Sequence, residues 1–115
     1  MNATRKIRVA VNGYGVIGKR VAAAVAVQDD MELVGIADIG ADWRMRIAVS
    51  KGFDLYASTA EALTAMHEAK LEVAGQLDDL LSKVDLVVDC TPKRVAAKNV
   101  EMYRKRGLKF IVQGG

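Results

Sequence analysis

Three glycines, Gly13, Gly15 and Gly18, stand between an apolar run, Ile7-Arg-Val-Ala-Val11, and a helical pattern that begins near Val16. Glycines at this spacing suit one kind of chemistry, the capture of a diphosphate. Gly13 permits a tight turn after Tyr14's predecessor strand, Gly15 lets backbone come close to a pyrophosphate, and Gly18 lets the following helix pack against its strand. The amides that open the helix lack intrahelical acceptors and sit at the positive end of its dipole. A carboxylate follows at Asp38, at the end of a second apolar run, Leu33-Val-Gly-Ile-Ala37. It lies somewhat beyond the usual spacing, about 20 residues past the glycines, for a group that accepts hydrogen bonds from an adenosine ribose. The glycine pattern alone is weak; its place between strand and helix, with an acidic residue after the next strand, makes it specific.

The elements that position these residues alternate along the chain. Strands are expected at 6–11, 32–37, 53–56, 71–73, 85–89 and 108–112. Helices are expected at 16–28, with Ile17, Val21, Ala24 and Val25 facing inward; at 42–51, with Asp42 as cap and Gly52 as stop; at 58–69, opened by a Ser58-Thr-Ala-Glu61 capping box; at 77–83; and at 93–106, with Val95, Val100 and Tyr103 facing inward and Gly107 as stop. The only proline, Pro92, falls at the start of the last helix, where a missing N–H is harmless. Continuous apolar strands separated by helices predict an α/β fold, a doubly wound, mainly parallel, Rossmann-like sheet with helices on both faces, occupying residues 1–115 as one domain. Three loops should meet at the carboxyl ends of the strands: Gly13–Gly18, Thr91-Pro92 and Gln113-Gly114-Gly115.

Composition narrows the partners. The chain has 115 residues, 51% hydrophobic and 27% charged, with a net charge of +3, which predicts a soluble globular domain. The basic clusters Lys93-Arg94 and Arg104-Lys105-Arg106 read as solvated helix faces. With 5% aromatic residues there is little to stack on bases, and nucleic acid is not expected as a partner. The longest apolar run, Val21 to Val27, is too short to span a bilayer. The single cysteine, Cys90, allows no internal disulfide and suits a reducing, cytoplasmic setting.

The chain resembles the N-terminal cofactor domain of archaeal-type (type II) phosphorylating glyceraldehyde-3-phosphate dehydrogenases. The stretches that carry the resemblance are Val11-Asn-Gly-Tyr-Gly-Val-Ile-Gly-Lys-Arg-Val21, Gln28-Asp-Asp-Met31, Lys51-Gly-Phe-Asp-Leu-Tyr56, Val73-Ala-Gly75, Asp89-Cys-Thr-Pro92, Ala97-Lys-Asn99, Met102-Tyr103 and Gln113-Gly-Gly115. They fall in the family's order along the whole chain. The resemblance implies an NAD(P)-binding domain joined to a C-terminal substrate domain, with a cysteine thiolate of that second domain attacking an aldehyde, hydride passing to nicotinamide and phosphate releasing the acyl group. It further implies that Tyr14, Val16 and Ile17 belong to the pyrophosphate loop, and that Thr91, Pro92, Gln113, Gly114 and Gly115 line the nicotinamide side.

Two departures from the family pattern matter. The Ser-Cys-Asn-Thr-Thr segment that carries the family's nucleophile is absent from these 115 residues, so no catalytic residue is expected here. The missing domain, or a chain supplying it, becomes an expected partner, and self-association through an uncovered apolar patch becomes plausible. Cys90 matches a family cysteine that is not the nucleophile, and His67 reads as a surface helix residue. Second, Asp38 and Ile39 stand where the family often carries lysine and threonine suited to a 2′-phosphate. A carboxylate there favours NAD over NADP, although Arg44 and Arg46 are close enough in sequence to assist a phosphate, and Asp38 could instead cap a turn. A stand-alone dinucleotide sensor remains the alternative reading, and a different oxidoreductase with a similar first domain a third.

Overall fold

In the computed structural model, which describes residues 5–113, six parallel strands form one sheet in the order β4-β3-β2-β1-β5-β6. The elements run β1 (Ile7–Asn12), α1 (Val16–Ala26), β2 (Met31–Asp38), α2 (Trp43–Ser50), β3 (Leu55–Ala57), α3 (Ala60–Glu68), β4 (Gly75–Gln76), α4 (Leu77–Leu81), β5 (Leu86–Asp89), α5 (Lys93–Lys105) and β6 (Lys109–Val112). Each strand returns through a helix, because parallel neighbours cannot be joined by a tight hairpin. The strand order reverses between β1 and β5. That is where a doubly wound sheet opens a crevice at its carboxyl edge.

Residue alternation along the strands sorts the two cores. Val11, Ile36, Leu55 and Ala57 point to one face and pack with Ala22 of α1, Met45 and Ala48 of α2, and Ala62 and Met66 of α3; Val9 and Val88 meet Val25 of α1 on that same face. Ala10, Ala37, Tyr56 and Val87 point to the other, where Leu77, Leu80 and Leu81 of α4 and Tyr103 of α5 cover them. Strands buried on both faces explain the near-continuous apolar runs.

Several local expectations shift. The inward face of α1 is Gly18, Ala22 and Val25, with Ile17 and Ala24 turned to solvent; the small residues Gly18 and Ala22 bring this helix close to the sheet. In α5 Ala96 and Tyr103 are buried, Val100 is half-buried and Val95 is exposed. The cap of α3 is Thr59, whose hydroxyl accepts from Ala62 N–H at 3.0 Å, rather than Ser58. The fourth strand lies at Gly75–Gln76, paired with Tyr56 and Ala57, and not at 71–73. Leu71 is buried as expected of an apolar position, but burial does not by itself create a ladder. Asp42 does cap α2, accepting from Arg44 N–H at 3.1 Å, and Gly52 and Gly107 end their helices with φ of +84° and +67°. No helix among the described residues is long and apolar enough to cross a membrane.

Candidate dinucleotide site

The glycine loop joins the end of β1 to α1 directly above the β1/β5 reversal. Gly13 has φ +99°, donates its N–H to Ala37 O at 2.7 Å, and passes so close to the next strand's end that a Cβ there would lie 2.9 Å from the carbonyl carbon of Cys90 and 3.0 Å from Thr91 N. Gly18 is buried under the same turn. A Cβ on it would overlap the Gly13 carbonyl oxygen and lie 2.8 Å from its carbon. Gly15 differs from both: the nearest atom to its missing Cβ is Arg44 Nη1, 4.0 Å away. Gly13 and Gly18 thus serve the turn itself, while Gly15 faces open space at the mouth of the helix.

That space is lined by donors. Gly15 caps α1 without any side-chain hydrogen bond, and the first backbone bond of the helix runs from Lys19 N–H to Gly15 O at 2.9 Å. Among the described residues the amides of Val16, Ile17 and Gly18 therefore meet no acceptor, and the helix dipole adds positive potential there. The Arg44 guanidinium stands over the same opening. It is paired with Asp42 at 3.1 Å, a contact that lowers the Asp42 pKa and raises that of Arg44. Arg46 points elsewhere, donating to Ala69 O at 2.8 Å.

Asp38 reaches the loop from the end of β2. Its Oδ2 accepts from Tyr14 N–H at 2.6 Å and its Oδ1 from Gly40 N–H at 2.8 Å. The carboxylate therefore ties the glycine loop to the turn after β2, and it caps that turn as well. Each oxygen keeps a lone pair and the residue is only half-buried, so acceptor capacity remains for a ligand hydroxyl. Tyr14 itself is buried in the core under the loop, where desolvation raises its pKa.

Across the reversal the floor is a buried polar network that sequence reasoning missed. Asn12 and Asp89 are register partners at the carboxyl ends of β1 and β5. Asp89 is fully buried and accepts from four donors: Thr91 N–H at 2.9 Å, the Thr91 hydroxyl, Asn99 Nδ2 at 3.0 Å and the Tyr103 hydroxyl at 2.6 Å. Asn12 Nδ2 donates to the same Tyr103 oxygen at 2.9 Å. Burial, and then the Asp89 carboxylate, push the Tyr103 pKa far up, so it stays a donor. The signal was available in Leu86-Val-Val-Asp89, a charged residue closing an otherwise apolar strand.

Thr91 and Pro92 follow directly, and Gln113 N–H donates to Asp89 O at 2.8 Å, so the ends of β1, β5 and β6 do converge. Gly114 and Gly115 lie outside the described residues. Cys90 shares this corner, half-buried, its thiol pushed up to about 11 by desolvation and then by the Asp89 charge. His67 is exposed on α3. A thiol at about 11 is almost wholly protonated at neutral pH. Alkylation of Cys90 in the folded chain at pH 8 is expected to run about a hundredfold slower than that of a free cysteine with a pKa of about 8.5; mass spectrometry of timed samples measures it, and rapid labelling would contradict the buried, electronegative environment.

The sequence model of the family described as "Dihydrodipicolinate reductase, N-terminus" matches residues 7–114. The chain is 49% identical over 107 residues to glyceraldehyde-3-phosphate dehydrogenase of Methanothermus fervidus, covering 93% of this chain. It is 51% identical over 109 residues to the enzyme of that name from Methanothermobacter thermautotrophicus, and 49% over 110 residues to that of Thermococcus kodakarensis. It spans about a third of the length of these relatives, 32% of the first. Among solved structures it superposes on GenD2 from gentamicin A biosynthesis, determined in complex with NAD, with a TM-score of 0.70 at 19% identity, covering 97% of this chain and 28% of that one. A UDP-N-acetylglucosamine 3-dehydrogenase, GnnA from Acidithiobacillus ferrooxidans, gives 0.59 at 21%, covering 95% and 30%. These two show the fold.

Proposed function

The chain belongs to the family described as dihydrodipicolinate reductase, N-terminus, and from that premise we propose that it is the NAD(P)-holding part of a phosphorylating glyceraldehyde-3-phosphate dehydrogenase, with NAD the preferred form. The observation that carries this reading is the open space over Gly15, faced by three unpartnered amides and one guanidinium. A Cβ would project into that space, and the donors around it suit the negative charge of a diphosphate. The amides of Val16, Ile17 and Gly18 hold the pyrophosphate, and Arg44 supplies the counter-charge. Asp38 accepts from the adenosine ribose while fixing the loop. Thr91 and Pro92, with Gln113 and the two glycines after it, border the nicotinamide half. Bound there, the nicotinamide supplies hydride acceptance; the nucleophile belongs to the remaining length of such an enzyme, since Cys90 is protonated and engaged in packing.

Identities near 50% to three archaeal enzymes of that name support the choice of activity. The exposed apolar side chains Ile111 and Val112, one on each face of the edge strand β6, leave that edge open to the substrate domain or to a second copy. A cytoplasmic setting follows from the activity proposed.

Calorimetric titration of the 115-residue chain tests the cofactor reading. Saturable binding of NAD, with NADP at least about tenfold weaker, is expected, a difference of about 1.4 kcal/mol. A folded sample that gives no saturable binding with either would overturn it. The activity is tested by a chimera in which this chain replaces the matching third of the Methanothermus fervidus enzyme. Phosphate-dependent oxidation of glyceraldehyde 3-phosphate by the chimera supports the reading; a folded chimera that binds NAD but leaves this aldehyde untouched sinks it.

A further inference from the structure

The buried carboxylate of Asp89 carries charge that hydrogen bonding alone does not require. Two donors from Thr91, one from Asn99 and one from Tyr103 satisfy it. Among the described residues no lysine, arginine or histidine forms an ion pair with it. The nearest basic residues of α5, Lys93, Arg94 and Lys98, are all exposed and so are screened by solvent. Only the partial positive charge at the start of α5 opposes it. Burying an uncompensated charge is costly, whereas neutral groups of the same shape carry less penalty. A carboxylate is retained there next to Asn12, beneath the crevice and in the half of the sheet opposite Asp38.

On the reading that NAD(P) lies in this crevice, the ribose carboxylate at the end of β2 puts the adenosine half over β2 and β3. The nicotinamide half then falls over β5 and β6, the second mononucleotide half of the fold. We infer that Asp89 is an electrostatic positioning residue that favours the oxidised cofactor: its fixed negative charge, held under the nicotinamide end by Thr91, Asn99 and Tyr103, binds the cationic ring of NAD+ better than the neutral ring of NADH. The two forms share every other charged group, so packing and phosphate contacts act on both alike. A fixed charge beneath that half of the crevice would act on one. Such a charge, itself buried, is expected to shift the affinity ratio by about tenfold.

The test compares dissociation constants for NAD+, by calorimetry, and NADH, by its own fluorescence, on the same 115-residue chain. In Asp89→Asn the affinity for NAD+ relative to NADH falls by about tenfold. The change asks the network to rearrange, because Asn99 Nδ2 and the Tyr103 hydroxyl both donate to Asp89 Oδ2 and both Thr91 donors to Oδ1; folding of the variant is therefore checked by circular dichroism first. Asn99→Lys leaves Asp89 in place but neutralises it, and shifts the ratio in the same direction; it decides the matter if Asp89→Asn does not fold. Tyr103→Phe removes a hydrogen bond and keeps the charge, so it alters both affinities alike and leaves their ratio unchanged. An unchanged ratio in folded Asp89→Asn or Asn99→Lys, or an equal shift in Tyr103→Phe, overturns the inference and leaves the cofactor reading standing. Failure of the folded parent chain to bind either form overturns both.

Discussion

Gly18→Ala is expected to lower the thermal midpoint of the chain by about 10 °C and to remove dinucleotide binding, whereas Gly15→Ala weakens binding about a hundredfold and lowers the midpoint by no more than about 5 °C. The two glycines are three residues apart in one loop, and their surroundings are opposite. At Gly18 the added methyl meets the carbonyl of Gly13, a backbone group fixed by the Gly13 N–H bond to Ala37 O and by Cys90 and Thr91 behind it. Neither the helix nor the turn can retreat without breaking its ladder. Overpacking against backbone costs about 3 kcal/mol, and a domain of this size loses several degrees for each kcal/mol. At Gly15 the methyl enters open space, and with φ at −83° the backbone tolerates alanine. Exchanging glycine for alanine at a cap position costs only about 1 kcal/mol or less. On the proposed reading the methyl occupies the approach of the phosphates, and a hundredfold loss of affinity, about 2.7 kcal/mol, is expected. Melting by circular dichroism together with calorimetry separates the two cases. Equal melting of both variants would mean that Gly18 is not held against Gly13 as described.

Asp38→Ser is expected to change the NAD-to-NADP affinity ratio by about a hundredfold in favour of NADP, again about 2.7 kcal/mol. The carboxylate repels a 2′-phosphate and accepts from a 2′-hydroxyl; serine does not repel, and its shorter side chain opens room beside Arg44. Combining the change with Arg44→Ala should weaken both cofactors through the shared pyrophosphate and NADP further, returning part of the gain in the ratio. Because Asp38 also receives the Tyr14 and Gly40 amides, the single change carries a stability cost of about 2 kcal/mol, reflecting lost charge-assisted bonds at a half-buried site. The readout must therefore be the ratio of affinities in a sample shown to be folded. An unaltered ratio would mean that Asp38 serves the turn alone.

The dual duty of Asp38 shows how far a linear reading reaches. Its type and its place after the second strand pointed to the crevice, and the fold delivers it there. Its bond to Tyr14 N–H could not be read, since 24 positions separate the two and nothing local specifies the rotamer. The two arginines make the same point. Arg44 and Arg46 were equivalent neighbours in sequence, but the step between them, roughly half a turn of α2, carries Arg44 over the glycine loop and sends Arg46 to the end of α3.

What the sequence determined by itself was the period of its elements and the chemistry of its loops. Apolar runs buried on both faces, a glycine-opened helix after the first of them, Asp42 as a cap and Gly107 as a stop are all local properties. Steric freedom, dipole and alternation act within a few residues and leave their mark in order along the chain. The tertiary structure alone decided which of several apolar positions face inward, because that depends on how near a helix can come. In α1 the small side chains Gly18 and Ala22, not the larger Ile17, set the distance. It alone placed the edge strand at Gly75–Gln76, since a two-residue ladder exists only through its partner β3. It alone assembled Asn12, Asp89, Asn99 and Tyr103, drawn from two strands and a helix up to 91 positions apart. A buried charge is tolerable only where the folded chain surrounds it with donors, and no stretch of sequence contains that surrounding.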